Sequence, residues 1–355
     1  MQENTKIQLA EYVKEVAKSN EVADATEMFT VNPNGQQRLI ESIRESNWFL
    51  TRINIIPVSN QTGESIGLGV TGMIASRTDT SGDKERTAKD YTSMGAMPYA
   101  CVQTNFDTAI RYAKLDAWAH MKNFPMIVKK HTRLQIDANK ITVGWYGKSA
   151  ATNTDPATNP NGEDVNKGWF QAIREHSPER MITEGKTTGK IRIGLGSEAA
   201  PADFIGLDPA VLNVKNLLDP ACTKAGDLIA IIGDDLLAYE KAKFYDKHGN
   251  TPSEKSKVEE VQVIGTYGGL PAVSVPGFPS TGIMVTSYDN LSIYILDGSV
   301  RRSVGQKNDK KDQVENFESM NMAYVIEEKG KAAAIEFDNV ELWIDGAWVS
   351  LSPSN

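Results

Sequence analysis

Cysteine is nearly absent from this 355-residue chain: Cys101 and Cys222 stand far apart, in no metal-ligand or redox spacing. That scarcity excludes a disulfide-stapled scaffold or a cysteine-built zinc site. Both thiols are expected to be reduced and packed as small apolar groups in a cytosolic setting. The four histidines, His120, His131, His176 and His248, are scattered, and no carboxylate or cysteine completes a ligand set with them. No stretch approaches the ~18 consecutive apolar residues of a membrane span. The start, MQENTKIQLAEYVKEV, has no continuous apolar run and carries acidic residues, so no secretory signal is expected and the product reads as soluble and intracellular. A basic surplus is missing too. The net charge of −8 argues against a chain built to grip nucleic acid, and the KKHTR run at 129–133 reads as a solvated helix face. G-x-S-x-G, G-x-x-x-x-G-K-[ST] and H-E-x-x-H do not occur, and nothing calls for a catalytic residue, a metal or a cofactor.

What is present is enough apolar material for real cores, 40% of residues, in a length that suits two modest domains or one elaborated one. Leu9, Val13, Val16 and Ala17 recur at helical spacing near the N-terminus, and Leu39, Ile43 and Phe49 give a second helix. RINIIPV (52–58) is strand-like, with Pro57 arguing against a central strand. CVQTNFDTAIRY alternates like a strand. The next forty residues read as a long helical region, about 113–144, with a break at Pro125, which removes a donor and clashes with the preceding turn. ATNTDPATNPNGED (151–164) is a surface loop or linker. Beyond it come helices around VNKGWFQAIREH, DPAVLNVKNLL and DDLLAYEKAKFYDKH, with DLIAIIG (227–233) as a buried strand between the last two. Strand leading into helix suggests an α/β layer. In GDD (233–235), Asp234 or Asp235 is expected to cap that last helix. The remainder is rich in strands.

Between 59 and 99 the sequence has almost no apolar periodicity. Gly67, Gly69 and Gly72 have the spacing of a dinucleotide-binding fingerprint, the basis of a rival reading as a cytosolic NAD(P)-dependent enzyme. That fingerprint needs a strand before it and a helix after it, and here MIASRTDTSGDKERT follows instead. An excursion of ~40 residues this poor in core residues is too long for an ordinary loop. It makes sense as an arm whose missing surface comes from neighbouring copies, with Arg77, Asp79, Asp83, Lys84, Glu85 and Arg86 offering charges of both signs for pairing between subunits.

Five blocks in order, FLTRINIIPV, GESIGLGVTGMIASRTDT, LPAVSVPGFP, NLSIYILDGSVRR and VENFESMNMAYVIEE, resemble the major capsid proteins of Peduovirus-type (P2-like) tailed bacteriophages, over the chain to about Phe337. The resemblance implies an α+β, HK97-like phage capsid fold. Its parts would be an N-terminal segment at 1–29, scaffold-facing through the amphipathic helix and removed by proteolysis, an N-arm at 30–58, and an extended hairpin loop at 59–99. A peripheral domain with the spine helix would follow at 100–164, then an axial domain at 165–279, with returning strands and tail at 280–355. The implied function is self-assembly into hexamers and pentamers of an icosahedral head enclosing double-stranded DNA without sequence-specific binding, followed by proteolysis and expansion. The implied partners are other copies of the chain, an internal scaffolding protein with protease activity, a portal protein, and decoration or size-determination proteins. The implied cut falls near EMFTVNP, at Met28, Phe29 or Thr30, and the place of assembly is the host bacterial cytoplasm.

Overall fold

Apolar residues three and four apart make the N-terminal segment a helix, α1 (Glu3–Asn20). It stops where Glu21 turns left-handed (φ 57°) and the Val22 N–H closes on the Ala17 carbonyl at 3.0 Å, a C-cap that satisfies carbonyls the helix would otherwise leave open. The computed structural model describes residues 1–65, 75, 77–81, 85–88, 97–118, 124–248 and 265–351. Its contacts divide the chain into two units, the first made of Met1–Gly63, Tyr99–Gly168 and Ser292–Tyr324, the second of Glu64–Pro98, Trp169–Leu291 and Val325–Asn355.

After α1 come β1 (Phe29–Thr30), α2 (Pro33–Ser46), α3 (Trp48–Arg52) and β2 (Asn54–Val58). Both helices are started by asparagine: Asn32 Oδ1 accepts from the Gly35 N–H at 2.7 Å, and Asn47 Oδ1 from the Phe49 N–H at 2.9 Å. β3 (Thr62–Ser65) and β4 (Met97–Ala100) pair as a two-stranded ribbon on either side of the 66–96 excursion. β5 (Val102–Asn105), β6 (Thr108–Arg111), α4 (Tyr112–Trp118) and α5 (Phe124–Tyr146) follow.

The second unit holds α6 (Trp169–His176), β7 (Met181–Ile182), β8 (Ile191–Ile193), α7 (Leu207–Asn216), β9 (Ile229–Ile232), α8 (Asp234–His248), β10 (Thr266–Tyr267), β11 (Leu270–Val273) and β12 (Ile283–Thr286). The chain then supplies β13 (Leu291–Leu296), β14 (Arg301–Asn308) and β15 (Gln313–Ile326) to the first unit's sheet. It finishes in the second with β16 (Ala333–Ile335), β17 (Val340–Ile344) and β18 (Ala347–Ser350).

The first unit is built on a seven-stranded sheet in the order β1-β14-β15-β13-β2, with β5 and β6 both pairing on β15. β2 lies at the end of that order, which is where Pro57, lacking an N–H, is tolerated. β5 and β6 are two strands rather than the single one expected, because the Phe106 N–H bonds to the Glu318 carbonyl at 2.7 Å and bends the chain between them. Phe49, Leu50, Ile55, Ile141 and Trp145 are fully buried here, with the Phe49 and Trp145 rings 5.6 Å apart.

In the second unit a six-stranded sheet runs β10-β11-β9-β12-β16-β7, beside a three-stranded one, β18-β17-β8. All four residues of β9 are buried. A short apolar run covered on both faces is what a central strand with a parallel neighbour, here β11, looks like in sequence. α8 begins one residue after β9's closing Gly233, but Asp234 and Asp235 do not cap it as expected. The Asp235 N–H bonds to the Ser280 carbonyl at 3.1 Å, and the Asp234 carboxylate instead accepts from Ser274 Oγ at 2.6 Å. Arg174 makes a two-point pair with Glu336, both contacts 2.6 Å, beneath the Phe170 and Phe337 rings.

Candidate functional site

Phe29 and Thr30 are in extended backbone, paired antiparallel with Arg302 and Arg301 of β14. The pairing continues on both sides: Val31 N–H bonds to the Val300 carbonyl at 2.9 Å, and Val304 N–H to the Ala25 carbonyl at 2.8 Å. Gln306 Nε2 adds a bond to the Thr26 carbonyl at 2.9 Å. Residues 25–31 are therefore laid along the outer edge of the sheet as a strap. Met28 is 53% exposed, Phe29 is half-buried and Thr30 is exposed. Phe29 packs against the small cluster of Val16, Ala17, Ala25 and Val304 that seats α1 on β14. Further along the helix, Leu9 packs against Leu115 and Val314. The apolar face of α1, expected to await a partner helix, is thus already used within its own unit. The apolar side chain it leaves outside is Ile7, 52% exposed.

Beneath α1 lies a cluster of charges that sequence reasoning missed. Arg133 and Lys140 of α5 pair with Asp137 on the same helix, at 3.2 Å each. Arg133 Nη1 also reaches Glu318 Oε1 of β15 at 3.1 Å, and Arg302 Nε of β14 reaches Glu318 Oε2 at 3.0 Å. Lys140 and Asp137 are 1% exposed and Glu318 7% on their side chains. α1, α2, α5 and the sheet together wall a cavity of about 300 Å³ over this cluster, lined among others by Leu9, Tyr12, Arg133, Ile136, Arg302 and Glu318. The KKHTR run thus divides: Lys129, Lys130 and His131 are exposed as expected, while Arg133 turns inward. The signal available was the 133/137/140 spacing, which sets three charges on one helix face.

Burial would raise the Glu318 carboxyl, but Arg302, Arg133 and Lys140 outweigh it and hold the group below the usual glutamate range. Burial, and then the Arg133 charge, push Lys140 down to about 8 from 10.5, against the pull of Asp137 and Glu318. Between those two values the folded chain holds Lys140 neutral while the unfolded chain keeps it protonated. The unfolded state then binds more protons, so this group's contribution to stability rises with pH across that window. Comparison of the native chain with Lys140→Met by urea unfolding is expected to show the native chain gaining about 3 kcal/mol relative to the variant over that window. A stability difference that stays flat with pH contradicts the assignment.

The remaining candidate residues are dispersed. In the arm, Arg77, Asp79, Glu85 and Arg86 are exposed. The Asp79 carboxylate accepts from Ser81 Oγ at 2.6 Å and from its N–H at 3.0 Å, bonds that hold it below the usual aspartate range. Asp83, Lys84 and the three glycines Gly67, Gly69 and Gly72 lie outside the described residues. Pro125 is the second residue of α5, where its missing N–H costs no helical bond, and 119–123 lie outside the described residues. Both cysteines are free and buried as expected. Burial pushes the Cys101 thiol up to about 11; burial and then the Glu328 carboxylate push Cys222 up to about 12. Among the described residues no group of acidic, histidine or cysteine side chains could hold a metal ion, and no helix is long and apolar enough to cross a membrane.

Comparison with known proteins fits this geometry to one family. Residues 8–337 match the family described as phage major capsid protein, P2 family. The chain is 38% identical over 344 residues to the capsid proteins of Escherichia phage P2, covering 95% of each chain. Among solved structures it is similar to the satellite phage P4 procapsid with its size-determination (Sid) protein, at 36% identity and a TM-score of 0.75, covering 98% of this chain and all of that one. At 10% identity it is also similar to the capsid of a native GTA particle, TM-score 0.51, covering 80% of this chain and 88% of the other, a likeness of fold alone.

Proposed function

Because the chain belongs to the P2 family of phage major capsid proteins, a structural and non-enzymatic family with the HK97-like fold, we propose that it builds an icosahedral head from hexamers and pentamers of itself around double-stranded DNA. The first unit serves as the peripheral domain with α5 as its spine, the second as the axial domain, and the 66–96 excursion as the arm that reaches a neighbouring subunit. Assembly proceeds on an internal scaffolding protein with protease activity. A cut at Met28, Phe29 or Thr30 then removes α1, and the shell expands.

The observation that carries this reading is the whole-length match to the P2 capsid proteins, which leaves no large part of the chain over for a separate activity. The strap at 25–31 supports the processing step, since an extended edge segment is the conformation a protease active site receives, and β1 is held by only two register pairs. The P4 procapsid contains a size-determination protein, and a partner of that class, together with a portal protein and decoration proteins, belongs to the same proposal. The net charge of −8 suits a shell wall that must release its DNA.

Co-expression with the scaffold and sedimentation of the product test the proposal. Fast-sedimenting shells are the expected result. A product that remains a small discrete oligomer at every salt concentration contradicts it.

A further inference from the structure

The segment 195–205 of the second unit holds large aliphatic side chains out to solvent on a rigid support. Leu195 and Ile205 are each 72% exposed, the highest among the large apolar side chains of the described residues. They are neighbours, because a parallel bridge joins Ile193 to Phe204 and the Gly194 N–H bonds to the Phe204 carbonyl at 2.8 Å. The other exposed residues of the segment are Ser197, Glu198, Ala199 and Pro201, so Glu198 is its one exposed charge, in a chain that is 24% charged.

The support is tightly determined. A Cβ at Gly194 would come within 2.6 Å of Trp343 Cβ, so only glycine lets the chain lie this close. Gly196 takes φ 65°, and a Cβ there would meet the Ala200 carbonyl oxygen at 2.8 Å. Leu195 is thereby held between two positions that require glycine. Ser197 and Ala200 exchange backbone bonds of 3.0 and 3.1 Å, and Trp348 Nε1 donates to the Ala200 carbonyl at 3.1 Å. The Asp203 carboxylate accepts from the backbone N–H groups of Lys186 at 2.6 Å and Arg192 at 2.8 Å. Lys243 Nζ donates to the Ile205 carbonyl at 3.3 Å.

A fixed, charge-poor surface with protruding aliphatic side chains is the makeup of an interface core, where little conformational freedom is lost on covering it. We propose that Leu195 and Ile205 form a subunit–subunit contact of the shell, covered by a second copy of this chain. Charge selects that occupant. Copies that each carry −8 repel as they approach, so the patch through which they meet should be one nearly free of charge. A contact of this kind need not be self-complementary, because a closed ring joins one patch to a different patch on the next subunit. The inference rests on the self-assembly reading above.

Thiol accessibility tests it without perturbing the fold. In a Leu195→Cys chain the native Cys101 and Cys222 are buried and stay silent, so a maleimide reports on position 195. Labelling is expected to be at least about tenfold slower in intact shells than in the unassembled subunit, the change in accessibility that a contact worth one decade in equilibrium produces. Equal rates in shells and subunits overturn the contact. As a second arm, the doubly charged variant Leu195→Glu/Ile205→Glu should melt as the native chain does, since both side chains are exposed, yet yield about tenfold fewer shells or less. A native yield from that variant also overturns it. If the native chain itself forms no shells, the self-assembly reading fails, and the contact fails with it.

Discussion

Replacing Glu318 with alanine is expected to destabilise the folded chain by about 3–5 kcal/mol, the range for removing one partner from a buried ion pair. Glu318 is the shared acceptor that joins Arg133 of the helix to Arg302 of the sheet, at 3.1 and 3.0 Å. Its loss leaves two partly buried guanidinium groups, with side-chain exposures of 16% and 22%, facing each other without a counter-charge. Asp137 cannot take its place, because it already serves Arg133 Nε and Lys140 Nζ. The effect belongs to the unpaired charges and not to any large net gain from the intact cluster. Accordingly the combined variant Glu318→Leu/Arg302→Met, which removes one carboxylate and one cation together, should recover part of the loss. Urea unfolding of the three chains measures this. A loss below about 1 kcal/mol for Glu318→Ala, the value of an exposed pair, contradicts the buried-cluster account.

Co-expression with the scaffold and its protease is expected to convert the subunit to a form beginning between Phe29 and Val31, which intact-mass measurement of purified particles would read directly. The structure gives the cut a definite physical character. Phe29 and Thr30 are already extended, but their backbone bonds belong to β14. A protease must therefore peel the strap from the sheet edge before it can bind the segment in its own active site. Met28 and Thr30 face outward, whereas Phe29 anchors the strap in the cluster under α1. Replacing Met28, Phe29 and Thr30 together with aspartate should leave the subunit uncut, and those particles should retain α1. Once α1 is removed, its wall of the cavity goes with it, and the Arg133–Glu318–Arg302 cluster meets water on that side. Subunits of native sequence that keep Met1 in every particle made with active protease would sink the processing reading.

How much of this was legible in the sequence depends on the range of the interactions involved. β9 was readable because IAII is buried on both faces, and α1 and α7 because their apolar residues repeat with the helical period. The resemblance carried the fold class, since five blocks in order are hard to match by chance. Local periodicity could not say that CVQTNFDTAIRY is two strands, because a bond from Phe106 to Glu318, far along the chain, makes the bend. Nor could it show that the first turn of α8 would be satisfied by the Ser280 carbonyl rather than by its own aspartates. The charge cluster was invisible for the same reason: Arg133 and Glu318 are 185 positions apart, and a basic run such as KKHTR looks solvated until its partner is brought to it. Leu195 and Ile205 become conspicuous only once the bridge at Ile193 and Phe204 sets them side by side.

Electron microscopy of the particles formed when the chain is co-expressed with its scaffold tests the central claim most directly. The account predicts closed icosahedral shells whose wall is built from hexamers and pentamers of this one chain. Discrete small oligomers, with no shells under any salt condition and with the scaffold present, would contradict it.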